Sequence, residues 1–85
     1  MNKNEKTLQD VLSGKKDANI RFHDLCNMLE SIGVNLLRIE GSHHVFAASG
    51  VYQILDIQPD KKDHSKAKRY QVRQVRQYIN RYKEN

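Results

Sequence analysis

"VNLLRIEGSHHVFAASGVYQILDIQ", residues 34–58, is the stretch that decides the fold of this chain. It consists of three runs rich in β-branched and large apolar residues, separated by two Gly/Ser pairs: 34–40, Gly41-Ser42, 43–48, Ser49-Gly50 and 51–58. Short Gly/Ser connections between β-rich runs are typical of hairpins. The stretch therefore predicts a three-stranded antiparallel meander that ends at Pro59.

Amphipathic helices are predicted on both sides of the strands, over residues 21–33 and 70–83. Each places its apolar side chains on one stripe with helical spacing. The stripe residues are Phe22, Leu25, Leu29 and Ile32, widened by Cys26 and Met28, in the first helix, and Val72, Val75, Ile79 and Tyr82 in the second. The two helices are predicted to cover one face of the sheet. Cys26 is therefore interpreted as a core residue.

A shorter helix is predicted at the N-terminus, over residues 6–14. Thr7 and Asp10 have the spacing of a capping box, and Gly14 is a suitable C-terminal stop. A helix of this length is not stable alone in water, so it is expected to dock on another part of the structure. The chain is thereby divided into an N-terminal helical extension with a linker, 1–19, and a main domain, 20–85.

The order of elements is helix, helix, three strands and helix, which is an α+β fold. Without the first helix, this is the α-β-β-β-α layout of double-stranded-RNA-binding domains. The sheet face that the helices leave uncovered is expected to meet water, a second copy of the chain or a partner.

The 85 residues carry a formal charge of +5, and the positive charge is concentrated near the C-terminus. Between Lys61 and Lys83, Asp63 is the single acidic residue among many Lys and Arg. Such a block indicates a polyanion or an acidic protein as partner, although a helix face kept basic for solubility gives the same pattern. No run is long enough to span a membrane, and no signal peptide is expected. One cysteine excludes an internal disulfide, and a reducing, cytoplasmic location is expected.

His43 and His44 stand side by side at the start of the second strand, next to the Gly41-Ser42 turn. Cleavage of RNA through its own 2′-hydroxyl needs a base, an acid and positive charge, and an imidazole serves well as the base or the acid. The N–H groups of the turn are suited to contact a phosphate oxygen. Strand alternation points the two rings to opposite faces, but both faces carry apolar neighbours, so alternation does not choose between them. Ordinary strand histidines are the alternative.

A metal site is not expected from the spacing of the candidate ligands. His23 and Cys26 lie three apart on a helix, and the adjacent His43 and His44 diverge on a strand, which does not produce the paired motifs that zinc prefers. No phosphate-binding loop, dinucleotide fingerprint or nucleophile elbow is present. No cofactor is therefore expected, and His23 and His64 are interpreted as surface residues.

The segment "LCNMLESIGVNLLRIEGSHHVF", followed by a strand ending in "IQP" and the helix "YQVRQVRQYI", resembles HicA-type toxins. These are small ribonuclease toxins of bacterial and archaeal HicAB toxin–antitoxin modules. The resemblance covers about residues 21–82. Its core is the helix that ends in L-E-x-x-G, the Gly-Ser-His turn and the H-x-x-F spacing of the second strand.

The resemblance implies a double-stranded-RNA-binding-domain-like fold, endonucleolytic cleavage of mRNA and a HicB-type antitoxin that covers the active site. The catalytic histidine of the family's Gly-Ser-His motif corresponds to His43, and some members carry it one residue later, at the position of His44. Many relatives have a Pro-x-His segment after the third strand, whereas here His64 follows Pro59 by five residues. The N-terminal helix is an addition to the minimal family domain.

The sequence thus predicts a metal-independent endoribonuclease toxin, with His43 as general base or acid and His44 as the alternate. Contacts to the RNA backbone, made through phosphate charge or turn N–H groups, are expected from a larger set: Gly41, Ser42, Lys66, Lys68, Arg69, Arg73 and Arg76. Two other functions fit the same layout. One is a non-catalytic RNA-binding module that recognises A-form duplex. The other is an interaction protein whose basic surface docks an acidic partner.

Overall fold

A computed structural model describes residues 1–84, and Asn85, the last residue of the predicted main domain, lies outside the described part. The elements are α1 (Lys3–Ser13), a 3-10 turn (Asp17–Asn19), α2 (Phe22–Ser31), β1 (Val34–Glu40), β2 (His43–Ala48), β3 (Leu55–Ile57) and α3 (Arg69–Glu84). The strands form one antiparallel sheet in the order β1-β2-β3. The predicted α+β fold, with an α-β-β-β-α order behind an extra N-terminal helix, is confirmed.

The hairpin between β1 and β2 closes with two residues, Gly41 and Ser42, because Glu40 pairs with His43. Gly41 has a φ of +60°, and every positive φ in the described chain belongs to a glycine. A two-residue hairpin with a positive φ at its first central residue, Gly41, and not at its second, Ser42, fits a type II′ turn, whose twist matches that of the strands. The predicted turn is therefore present, and it holds His43 at a fixed place at the end of the sheet.

The third strand is shorter than the sequence predicts, since it begins at Leu55 instead of residue 51. The register of β2 with β3, extended outward, sets Ala48 opposite Gln53. The hydroxyl of Tyr78 stands between these two residues. It accepts a hydrogen bond from the Ala48 N–H at 3.1 Å and donates one to the Gln53 carbonyl at 2.7 Å. The ladder ends there because a side chain of α3 takes the backbone groups that would continue it.

The core lies between the sheet and the helices α2 and α3. Its fully buried side chains come from both the helices and the sheet, and Phe46 on β2 is the largest of them. The predicted stripes contribute seven residues to the core cluster: Phe22, Leu25, Met28 and Leu29 from α2, and Val72, Val75 and Ile79 from α3. Cys26 packs against this core as a partly buried residue. Within residues 1–84, the opposite face of the sheet carries no helix.

Helix α1 begins at Lys3, earlier than the sequence predicts. Asn2 is the N-cap: its side chain accepts from the Glu5 N–H at 2.8 Å and donates to the Glu5 carboxylate at 3.0 Å. The predicted cap at Thr7 is wrong, because Thr7 lies buried inside the helix. The stop at Gly14 is confirmed by its φ of +72°.

The N-terminal extension belongs to the same core as the main domain. Val11 of α1 is fully buried in that core. The guanidinium of Arg76 on α3 donates to the Val11 carbonyl at 2.9 Å and to both carboxylate oxygens of Asp17, at 2.9 and 3.1 Å. Helix α1 and the linker are thus fixed to α3 by one side chain. None of the helices in residues 1–84 has the length and apolar content to cross a membrane.

Candidate functional site

His43 lies on the uncovered face of the sheet and contacts a carboxylate there. Its Nδ1 is 3.0 Å from Oδ1 and 3.2 Å from Oδ2 of Asp56, which lies on the neighbouring strand β3. A carboxylate only accepts, so Nδ1 carries the hydrogen and donates it. In the neutral ring, Nε2 is then the unprotonated nitrogen. Both side chains are close to half exposed, so the pair is accessible to a substrate.

His44 points to the opposite face and has different surroundings. Its ring meets the ring of Phe22 edge-on, with centroids 4.8 Å apart. Its Nδ1 donates to the Ser42 carbonyl at 3.0 Å, so the ring folds back over the turn. Only part of the residue is exposed. His44 therefore packs between the turn and α2 in the manner of a structural side chain.

The strand neighbours of His43 complete a small polar surface on the uncovered face. Arg38 on β1 forms an ion pair with Glu40, whose Cα lies opposite that of His43. Arg38, in turn, is opposite Val45, which is opposite Asp56. Val45 is buried, yet it is not part of the core cluster. Its burial therefore comes from the side chains of this surface rather than from the helices.

A cationic cleft adjoins the turn on its other side. It has a volume of about 490 Å³ and is lined by Ser42, Gln58, Pro59, Lys61, His64 and Lys68. The side-chain oxygen of Gln58 accepts hydrogen bonds from the Ser42 hydroxyl at 3.2 Å and from the Lys68 ammonium at 3.4 Å. Among the residues whose side chains are described, none of the acidic ones lines the cleft. The cleft therefore brings together hydroxyl, ammonium and imidazole groups, all of which can donate to an anion.

The loop that carries Lys61 and His64 is held by its own acidic side chains. The Asp60 carboxylate accepts from the N–H groups of Lys62 and Asp63, at 3.0 and 3.1 Å. Hydrogen bonds from the hydroxyl and the N–H of Ser65 hold the pKa of Asp63 below its usual range. The backbone of the loop is thereby organised, although its residues are mostly exposed.

The other predicted RNA contacts divide into three groups. Arg69 and Arg73 are exposed, one turn apart on α3, and project into solvent. Lys66 is half-buried beside the N-terminal region, where its ammonium lies 3.4 Å from the Asn19 side-chain oxygen. Arg76 is four-fifths buried and bound to Asp17, which raises the pKa of its guanidinium. Three of its hydrogen bonds are made within the fold, so the RNA contact predicted for Arg76 stays a prediction and would compete with this ion pair.

Sequence reasoning missed Asp56, Lys61 and His64 as members of the site. An aspartate between two buried strand residues, Leu55 and Ile57, is a period-two signal for the opposite face and identifies Asp56 in retrospect. Lys61 and His64 carry no comparable signal, because a loop has no periodicity. Among the described residues, no group of three His, Cys, Asp or Glu side chains has the geometry to hold a metal ion.

Comparison of the chain with protein-family models, with curated proteins and with solved structures finds no significant match.

Proposed function

We propose that this chain is a metal-independent endoribonuclease of the HicA type, which cleaves mRNA through His43. The observation that carries the proposal is the pairing of the exposed His43 imidazole with Asp56, one residue away from the cationic cleft. The pair supplies a group that takes a proton, and the cleft supplies positive charge for phosphate. The Gly-Ser-His turn, on which the resemblance to these toxins rests, is the segment that joins them.

In this mechanism His43 acts as the general base. Asp56 accepts the hydrogen of Nδ1 and so holds the ring with Nε2 unprotonated. Nε2 takes the proton of a ribose 2′-hydroxyl, and the 2′-oxygen attacks the adjacent phosphorus. The bond from phosphorus to the 5′-oxygen breaks, and that oxygen takes a proton from water. The products are a 2′,3′-cyclic phosphate and a 5′-hydroxyl.

In this mechanism, positive charge from the cleft lowers the energy of the pentacoordinate phosphate. Lys61 and Lys68 bring two ammonium groups to the cleft, and the Ser42 hydroxyl adds a neutral donor. Preorganised donors at the point where charge develops commonly contribute the largest share of a rate enhancement. Arg69 and Arg73 extend the positive surface along α3, where they contact backbone phosphates on either side of the cleaved bond.

The test is incubation of the purified chain with end-labelled single-stranded RNA, with and without EDTA. We expect cleavage in both conditions and fragments that end in a cyclic or 3′-phosphate, with a 5′-hydroxyl on the other side. A 5′-phosphate product, or activity restored only by an added divalent metal, contradicts the mechanism. Binding and protection of RNA without cleavage supports instead the non-catalytic module, and preference for a duplex over a single strand strengthens that outcome.

A small antitoxin of the HicB type is the partner that we propose for this chain, acting in the cytoplasm. An exposed imidazole next to a cationic cleft is harmful to the host cell if mRNA reaches it freely. A protein encoded beside this chain is expected to bind it tightly and to cover His43. If the purified pair cleaves RNA as fast as the free chain, the inhibitor is not needed and this part of the proposal fails.

A further inference from the structure

A groove runs along the outer edge of β3, from the His43–Asp56 pair to the connection between β2 and β3. Two adjoining hollows of about 370 and 330 Å³ form it, and Gln53 and Arg81 line both. Asp56 lines the end next to the imidazole, and Tyr52 lines the far end. We call this surface the glutamine groove, after Gln53, Gln74 and Gln77. It touches the proposed catalytic pair without being part of it.

The amides of the glutamine groove differ from the other glutamines near the site. The side-chain oxygen of Gln71 accepts from the backbone N–H of Gln58 at 2.8 Å, and its side-chain nitrogen donates toward the Asp56 carbonyl at 3.5 Å. The side-chain oxygen of Gln58 accepts from Ser42 and Lys68. Gln53, Gln74 and Gln77 are exposed, and none of the hydrogen bonds among the described side chains involves their amides. Each leaves one acceptor and two donor hydrogens directed at solvent or ligand.

The far end of the groove offers a flat ring and a positive charge. Tyr52 is fully exposed, the most exposed of the large side chains with apolar surface. Arg81 is exposed and lines both hollows, and it lies one turn of α3 beyond Gln77. Aromatic rings and guanidinium planes are the groups on which unpaired bases stack, and amides bind the edges of those bases.

We propose that the glutamine groove binds unpaired bases of the RNA next to the cleaved bond and sets which sequence is cut. Gln74 and Gln77 read the edge of a base, and Tyr52 stacks a base farther along the strand. This inference rests on the proposed ribonuclease function, since it assigns the substrate's bases to a surface beside His43. A single strand fits the groove because its bases are free to turn toward the protein.

The experiment maps cleavage sites in a pool of random-sequence single-stranded RNA. We compare the wild type with the double variant Gln74→Ala/Gln77→Ala and with Gln9→Ala, an exposed glutamine on α1 outside the groove. A bidentate contact to a base is expected to give the wild type a preference of about 5- to 100-fold at one position. The double variant should lose this preference and still cleave the pool, whereas Gln9→Ala should retain it. An unchanged preference in the double variant overturns the proposal.

The stacking step has its own readout in RNA affinity, measured with the inactive variant His43→Ala and fluorescently labelled homopolymers of uridine and adenosine. Tyr52→Ala should weaken the binding of both by about 10-fold or more, and Tyr52→Phe should restore it. Equal affinities in all three proteins remove Tyr52 from the groove's function. If the wild type binds RNA without cutting it, the ribonuclease proposal fails, and the glutamine variants are then judged by whether they flatten the difference between the two homopolymers.

Discussion

The two faces of the sheet carry neighbouring histidines in opposite surroundings. On the uncovered face, His43 is half exposed and its Nδ1 donates to a carboxylate. On the covered face, His44 packs edge-on against Phe22 and its Nδ1 donates to a backbone carbonyl. Each ring has its Nδ1 occupied, so the difference lies in access and in charge. A reacting phosphate can approach the first ring, and the second is held by packing.

The basic residues divide in a related way, by whether their charge is bound to an acidic side chain. Lys61 and Lys68 line a cleft to which none of the described acidic side chains contributes. Arg76 has its guanidinium bound to Asp17 and to a backbone carbonyl. A count of Lys and Arg in the C-terminal third does not distinguish these roles, because the count does not show which cation is paired with a carboxylate inside the fold. The comparison therefore predicts that variants on the uncovered face change cleavage, and variants on the covered side change stability.

The largest effect is expected from His43→Ala. Loss of a general base typically costs about 10²–10⁴ in rate, and the side chain is exposed, so folding should be unaffected. Cleavage of labelled RNA and a thermal melt measure the two quantities on one preparation. The variant should also still bind the antitoxin. A variant that cuts normally removes the mechanism, and one that fails to fold places His43 with the structural residues.

Asp17→Asn should give the largest loss of stability with intact chemistry. It removes the charge opposite a guanidinium that is four-fifths buried, and hydrogen bonds to charged groups contribute about 1.5–3 kcal/mol. Chemical denaturation measures the loss. Arg73→Gln is the matched control, because Arg73 is exposed on α3, the helix that carries Arg76. The free energy of unfolding of this variant should change by less than about 0.5 kcal/mol, while its RNA affinity falls. If Arg73→Gln destabilises the fold and Asp17→Asn does not, then Arg73 is the structural arginine and Arg76 is the one available to RNA.

Asp56→Asn tests whether the carboxylate positions His43. An amide in that place can donate its own hydrogen to Nδ1, which turns the ring into the other tautomer and blocks the use of Nε2 as base. We expect a fall in kcat of about 10- to 100-fold with little change in KM, by analogy with other groups that orient a reacting histidine. A change confined to KM would instead indicate that Asp56 acts on substrate binding.

Much of the fold was predictable because its boundaries depend on local signals. Gly41 and Gly50 both have positive φ, so the ends of β1 and β2 follow from positions where only glycine is relaxed. The start of β3 was not predictable, because it depends on the hydroxyl of Tyr78, which is distant in sequence and takes over the backbone groups of Ala48 and Gln53. The N-cap of α1 was mispredicted for a local reason. Asn2 and Thr7 are both residue types that cap helices, and the helix begins after the earlier of the two.

The candidate site was predictable only in part, for a related reason. The Gly-Ser-His turn is contiguous in sequence, so His43 and Ser42 were named. The group that orients His43 comes from another strand, and the cleft takes Lys61 and His64 from a loop. Arg76 shows the same limit: its charge is visible in the sequence, but its partner Asp17 lies far away along the chain. Partnerships across the fold decide which charges remain available.

His44→Ala should lower stability by about 1–2 kcal/mol, because it removes an aromatic pair with Phe22 and a hydrogen bond to the turn. Cleavage at a temperature where the variant is folded should stay within a few-fold of the wild type. His44→Phe keeps the ring contact and serves as control, with stability between the two. If His44→Ala abolishes cleavage and leaves the melting temperature unchanged, His44 is the catalytic residue and the comparison of the two faces is inverted.

The smallest effect concerns Cys26, which the covered side should protect from reaction. Burial, with a contribution from the charge of Glu30, raises the pKa of the thiol to about 11. Because the thiolate is the nucleophile, alkylation by iodoacetamide at mildly alkaline pH should be on the order of 100-fold slower than in the unfolded chain. The raised pKa also means that the folded state holds the thiol proton where the unfolded state has lost it, so the free energy of unfolding should fall as pH rises from the thiol's ordinary pKa of 9.0 toward 11. Cys26→Ala should remove that part of the pH dependence. Rapid alkylation of the native protein would show that α2 does not stay packed on the sheet. The packing of His44 against Phe22 of α2 would then be too loose to explain a structural role for His44.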